Sequence, residues 1–163
     1  MAAKILNIGV IGGTEAKSAA LQMAFEAGRE IALRNYVLYC GGRGGVMESA
    51  SRGACENKGV VIGILPGFDR AEANPYVTYS IPTGLGHLRN QVVVCSSDVV
   101  LAFEGSAGTL SEIALAAIYQ KPVLSIGSWD LPMDPLTGKP VFAARFDAIL
   151  PAMLWLLEYA KLF

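Results

Sequence analysis

The sequence predicts one doubly wound α/β domain over residues 1–163, a mostly parallel sheet flanked by helices. Three observations carry this. Short apolar segments alternate with segments of helical periodicity along the chain, the apolar segments are continuous rather than alternating, and most run into a turn containing glycine or proline. Strands buried on both faces need such continuous runs, and helices covering both faces are what parallel order requires. The chain of 163 residues sits near the common size of a single domain. It contains no internal repeat, low-complexity segment or linker long enough to divide it.

Ile5 to Ile11 is short and apolar and ends at Gly12-Gly13, which reads as a buried strand entering a tight turn. Ser18 to Arg34 places Leu21, Ala24, Phe25, Gly28 and Ala32 at helical spacing. Val37 to Cys40 is a second strand, broken by Gly41-Gly42-Arg43-Gly44-Gly45, and Val46 to Asn57 is a helix with Met47, Ala50 and Ala54 inward. Val60 to Leu65 is a third strand, stopped by Pro66-Gly67. Phe68 to Pro82 is the least regular stretch, with a short strand expected at Val77 to Ile81. Leu88 to Ser96 reads as a helix, Val99 to Phe103 as a strand, Thr109 to Gln120 as a helix and Pro122 to Ile126 as a strand. Gly127 to Val141 is a proline-bearing loop, and Ala143 to Leu162 reads as a closing apolar helix with a bend at Pro151.

Composition removes several function classes. Lys and Arg number 13 against 14 Asp and Glu, for a net charge near −1 and a pI of 5.8. A near-neutral surface offers little drive toward phosphate backbones, so nucleic acid is not expected as a partner. No stretch approaches the roughly 20 apolar residues of a membrane span, and the N-terminal segment lacks a signal-peptide pattern. Three cysteines (Cys40, Cys55, Cys95) without a C-x-x-C pair suggest reduced thiols in a cytoplasm rather than a disulfide framework, with Cys40 and Cys95 expected inside. A single histidine, His87, excludes a multi-histidine metal site. Charged residues make up only 17% and apolar residues 53%, against roughly 25% charged in an average domain. With the apolar tail presenting Leu150, Leu154, Trp155 and Leu157, this predicts a homodimer or larger homo-oligomer.

In a doubly wound sheet, ligands bind beyond the carboxyl ends of the strands. Three glycine turns fall at that edge: Gly12-Gly13, Gly41 to Gly45, and Gly105-Ser106-Ala107-Gly108-Thr109. Glycine admits close backbone approach, and the following helix offers unpaired N–H groups and a positive dipole end. A nucleotide-like small molecule carrying a phosphate is the expected ligand, with Gly12, Gly13, Gly42, Arg43, Gly44, Gly45, Gly105, Ser106, Gly108 and Thr109 as candidate contacts. Neither a P-loop nor G-x-G-x-x-G is present, which argues against an ordinary nucleotide triphosphatase or NAD enzyme. Arg89 stands at a helix start, unfavourable for a cation unless an anion lies nearby, and it suits a bidentate clamp on phosphate or carboxylate. Pairing with a local Asp or Glu is its simpler explanation. Thr109-Leu110-Ser111-Glu112 also has the form of a capping box, in which Glu112 would bond back to the Thr109 N–H. Glu104, at the mouth, would oppose an anion: two like unit charges about 4 Å apart at an effective dielectric near 20 repel by roughly 4 kcal/mol.

Gly105-Ser106-Ala107-Gly108-Thr109-Leu110-Ser111-Glu112 resembles the P-G-G-x-G-T-x-x-E motif of the Lonely Guy (LOG) family, and Gly41 to Met47 resembles its G-G-G-x-x-G-[LV]-M turn. Arg89 precedes Glu112 by 23 positions, as the corresponding arginine does there. The run from Gly84 through Pro122 looks closest to a compact branch that includes molybdenum cofactor carrier proteins. The resemblance spans Lys4 to Ile126. It implies a Rossmann-like domain, usually dimeric, with the site near the subunit boundary. It also implies hydrolysis of the N-glycosidic bond of nucleoside 5′-monophosphates, with Glu112 and Arg89 catalytic and no cofactor or metal required. A carboxylate can stabilise the oxocarbenium-like state of such a cleavage while a positioned acid assists departure of the base. The chain departs from the motif at Glu104, where the family has proline, at Ser106, where it has glycine, and at Asn90, where its enzymes often carry a second basic residue. The carrier-like branch implies instead a module that holds a nucleotide-derived or pterin ligand, Glu112 serving only its helix. A third possibility is a self-assembling protein whose glycines are plain turns.

Overall fold

A computed structural model describes residues 4–131, 133 and 138–162. Seven strands, β1 (Asn7–Ile11), β2 (Val37–Cys40), β3 (Val60–Leu65), β4 (Tyr79–Pro82), β5 (Val99–Ala102), β6 (Val123–Ile126) and β7 (Ala144–Phe146), form one sheet in the order β4-β3-β2-β1-β5-β6-β7. Every pairing is parallel, so the fold is a single Rossmann-like α/β domain. Five helices cover it: α1 (Ser18–Leu33), α2 (Val46–Glu56), α3 (Arg89–Ser96), α4 (Ala107–Ile118) and α5 (Ile149–Ala160).

The continuous apolar strands do what their pattern requires. One core cluster joins Ile8, Val10 and Leu38 to Ala24 and Ile31 of α1, Ala50 of α2 and Met153 and Leu156 of α5. The other joins Ile11, Val100 and Ala102 to Val93 of α3 and Ile113 and Ala116 of α4. The sheet therefore has α1, α2 and α5 on one face and α3 and α4 on the other. Strand order reverses between β1 and β5, and the loops leaving those two strands diverge to opposite faces. That geometry opens a crevice at their carboxyl ends.

Four sequence expectations need correction. The segment expected as one closing helix from Ala143 begins as a strand, β7, which pairs Ala144 with Leu124 and Phe146 with Ile126. Three residues are too few to show a period of their own, and the partner β6 supplies the structure. Pro151 sits in the first turn of α5, where its missing N–H has no helical acceptor to lose, so it marks a beginning rather than a bend. Third, α4 starts at Ala107 with Ser106 at the N-cap, so Thr109 is an interior residue and the capping box with Glu112 does not form. Cys40 is buried as expected, but Cys95 is exposed. The segment expected as a loop from Gly127 to Val141 contains residues 132 and 134–137, which lie outside the described residues.

Candidate functional site

The three glycine turns meet at the crevice and are stitched together through Gly13. Its N–H donates to the Glu104 carbonyl of the β5–α4 turn at 2.8 Å, and its carbonyl accepts the Val46 N–H at the start of α2 at 3.0 Å. Gly45, with φ +65°, leaves room there: a Cβ would lie 2.3 Å from the Gly13 carbonyl oxygen. Gly105 is just as closely set, with Thr109 Oγ1 and the Gly13 nitrogen where its side chain would be.

Between these turns lies a cleft of about 190 Å³ lined by Val10, Ile11, Gly12, Gly13, Thr14, Met47, His87, Arg89, Asn90, Ser106, Gly108, Thr109 and Glu112. A wider hollow of about 510 Å³ adjoins it and shares Thr14, His87 and Arg89, adding Arg43, Gly44, Pro66 and Gly86. Of the sequence-predicted contacts, Gly12, Gly13, Ser106, Gly108 and Thr109 reach the cleft with Arg89 and Glu112, while Arg43 and Gly44 reach the hollow. Gly42, Gly45 and Gly105 line neither space. They serve the packing of the turns behind it.

Arg89 projects from the first position of α3 across the end of β2. Its guanidinium occupies the space over Gly41, where a Cβ would stand 1.7 Å from Nη1. Nε is buried without a hydrogen-bond partner, and no carboxylate forms a salt bridge with the side chain among the described residues. The simple pairing with a local acid is therefore not what holds it. Burial lowers the Arg89 pKa from its usual value, and the nearby Glu112 carboxyl opposes that shift.

Glu112 is 7% exposed and faces the cleft from the second turn of α4. Among the described residues its carboxyl has no hydrogen-bond partner. Burial pushes its pKa up to about 8, with Arg89 pulling the other way; desolvation of the charged form outweighs the attraction of the guanidinium. At neutral pH the group is mostly protonated and can donate as well as accept. Thr109 and Asn90 are equally buried beside it. Asn90 donates to Ser111 Oγ at 3.3 Å, which in turn donates to the Gly108 carbonyl at 2.6 Å, leaving the Asn90 carbonyl oxygen available.

Glu104 does not face the ligand space. Its carboxylate accepts the Lys17 N–H at 3.0 Å and lies 3.7 Å from Lys17 Nζ. It thereby places a negative charge at the N-terminus of α1, where the helix dipole favours one. The expected repulsion at the mouth is relieved by this turn of the side chain. Arg43 is exposed, has no ion pair among the described residues, and lies near enough to Arg89 for the two charges to repel. Sequence reasoning missed Thr14 and Met47 as lining residues and took Asn90 only as the lack of a basic group. Asn90 stands next to Arg89 at a helix start, the one signal that could have marked it.

Glycine turns at a topological switch point, a buried carboxyl and, among the described residues, an arginine without a salt bridge mark the crevice of a Rossmann-like domain. The chain belongs to the SLOG cluster4 family, whose model matches residues 5–143. It is 40% identical over 146 residues to an uncharacterized protein of Archaeoglobus fulgidus, covering 90% of this chain and 93% of that one. A structure of the molybdenum cofactor binding protein of the phototrophic bacterium Rippkaea orientalis superposes with a TM-score of 0.85 at 38% identity, covering 98% of this chain and 99% of that one. The molybdenum cofactor carrier protein of Chlamydomonas reinhardtii matches with a TM-score of 0.82 at 30% identity, over 98% of this chain and 100% of that one.

Proposed function

We propose that the protein is a binding protein, a carrier of a phosphate-bearing pterin or nucleotide-like molecule, with molybdenum cofactor as the favoured cargo. The observation that carries this reading is the union of an unpaired cationic mouth, Arg43 and Arg89, with an inner cleft whose buried Glu112, Thr109 and Asn90 offer both donors and acceptors. The mouth suits a phosphate, while the inner groups suit a polar heterocycle edge. The likeness to two proteins described as binding or carrying molybdenum cofactor supports it. A thermal-shift series with isolated molybdenum cofactor, GMP and AMP tests it. A ligand at 100 times its Kd stabilises by about 2.7 kcal/mol, so the cargo raises the melting temperature by several degrees, and no shift with any of them overturns the reading.

The hydrolase reading rests on a separate observation, the buried Glu112 carboxyl facing the cleft beside Arg89, where burial favours the protonated form that suits a general acid. Release of free base from GMP, AMP or a cytokinin monophosphate, lost in Glu112→Gln, would establish it. Self-association is part of the proposal as well. α5 buries Ile149, Ala152, Met153 and Leu156 and leaves Leu150 and Leu154 more than 60% exposed, a surface that a second copy can cover. Light scattering at micromolar concentration gives a dimeric or larger mass if this holds.

A further inference from the structure

The segment between β3 and β4 looks like plain connection in the sequence, yet it reaches into the site. Asn74 is 8% exposed, and every polar group it has is engaged. Its backbone N–H donates to the Gly42 carbonyl at 2.8 Å, and its side-chain Nδ2 donates to the Arg43 carbonyl at 3.0 Å. Oδ1 accepts the Tyr76 N–H at 3.1 Å across Pro75, an Asx turn that fixes the carboxamide. Two successive carbonyls of the β2–α2 turn are thus drawn to one residue far along the chain.

A trans peptide unit points its N–H opposite its C=O. Holding the Gly42 and Arg43 carbonyls toward Asn74 therefore turns the Arg43 and Gly44 N–H groups the other way. Neither amide, nor that of Gly45, donates to any acceptor among the described residues. Arg43 and Gly44 line the outer hollow together with Arg89, whose Nε is buried and unpaired, and the unpartnered Glu112 carboxyl closes the adjoining cleft. Successive free amides beside two guanidinium groups form an anion-binding concavity.

We infer that Asn74 is a positioning residue that fixes the Arg43-Gly44 backbone as a preformed seat for the phosphate of the ligand. The inference rests on the phosphate-ligand reading and adds to it where the phosphate sits and what orders that place. It predicts a role visible only in the phosphate part of the binding energy, because Asn74 touches neither the cleft nor Glu112.

The test measures affinity of the full chain for GMP and for guanosine by calorimetry. The wild type prefers GMP, and Asn74→Ala lowers GMP affinity by about tenfold, the scale of one well-placed hydrogen bond to a charged group, while leaving guanosine affinity unchanged. Asn57→Ala, which removes a like bond to the Gly53 carbonyl of 2.9 Å far from the site, keeps the GMP-to-guanosine ratio of the wild type. An Asn74→Ala protein with an unaltered ratio overturns the inference and spares the ligand reading. A wild type that binds neither compound overturns the inference, and the ligand reading falls with it only if molybdenum cofactor and AMP also give no thermal shift. Should Asn74→Ala fail to fold, the wild-type amide resonances of Arg43 and Gly44 decide. They shift with GMP and not with guanosine if the seat is real, and their failure to respond to GMP rejects it.

Discussion

The β2–α2 and β5–α4 turns carry the same residue type to the same edge of the sheet and use it for opposite reasons. Gly42 and Gly45 have φ of +70° and +65°, backbone angles that L side chains rarely adopt, so the first turn needs glycine for its conformation. Gly105 and Gly108 have no such angle. Gly105 is needed because Thr109 and Gly13 fill the space a side chain would take, and Gly108 has open space around it. One turn is a bent loop with free amides held from outside by Asn74, and the other packs tightly only at Gly105 and then lines the cleft with Ser106, Gly108 and Thr109 as it enters a helix. Glycine count alone does not tell a seat from a joint.

Gly45→Ala strikes the β2–α2 turn hardest. The substitution combines a left-handed φ with a Cβ 2.3 Å from the Gly13 carbonyl oxygen and 2.4 Å from that of Thr14, both backbone atoms. It should cost about 3 kcal/mol or more, seen as a melting temperature lower by about 6–12 °C in a domain of this size.

Glu112→Gln tests the cleft floor that both turns enclose. The unfolded chain releases this proton near 4.5, the folded chain near 8, so the native state binds more protons between those values and stability falls as pH rises through that window. The amide cannot ionise. Its gain over the wild type is therefore near zero at pH 4 and grows to a few kcal/mol by pH 9, measurable as diverging denaturation curves across pH. A constant difference would show that burial does not raise the pKa of the Glu112 carboxyl.

Gly105→Ala should cost about 1–3 kcal/mol through overpacking, since the Gly13 nitrogen lies 2.8 Å from the added Cβ and must move. Gly108→Ala goes the other way. With nothing within 4 Å and a helical position in α4, it should stabilise by about 0.5–1 kcal/mol while narrowing the cleft, so a raised melting temperature accompanies weaker ligand binding.

Much of this was legible in the residues. Short strands such as Val99–Ala102 and Val123–Ile126 are buried throughout, and their regular alternation with helical segments announces a parallel sheet. β7 was not legible, since three residues with no period depend wholly on β6. Arg89 and Glu112 came together only through the resemblance to the LOG motif, and their state was not legible: local pattern made Glu112 a helix cap, and the start of α4 at Ala107 left it facing a cleft without a partner among the described residues. Glu104 was read as an obstacle because its identity was visible and its partner, Lys17, was 87 positions away.

The chain by itself determined the α/β class and the glycine edge, because each depends on local period or residue chemistry. Tertiary structure alone decided which glycines line the cleft, where Glu104 turns, why Glu112 keeps its proton and that Asn74 orders the Arg43-Gly44 backbone. Those properties arise from desolvation and from contacts between segments distant in the chain, and neither is written in the order of neighbouring residues.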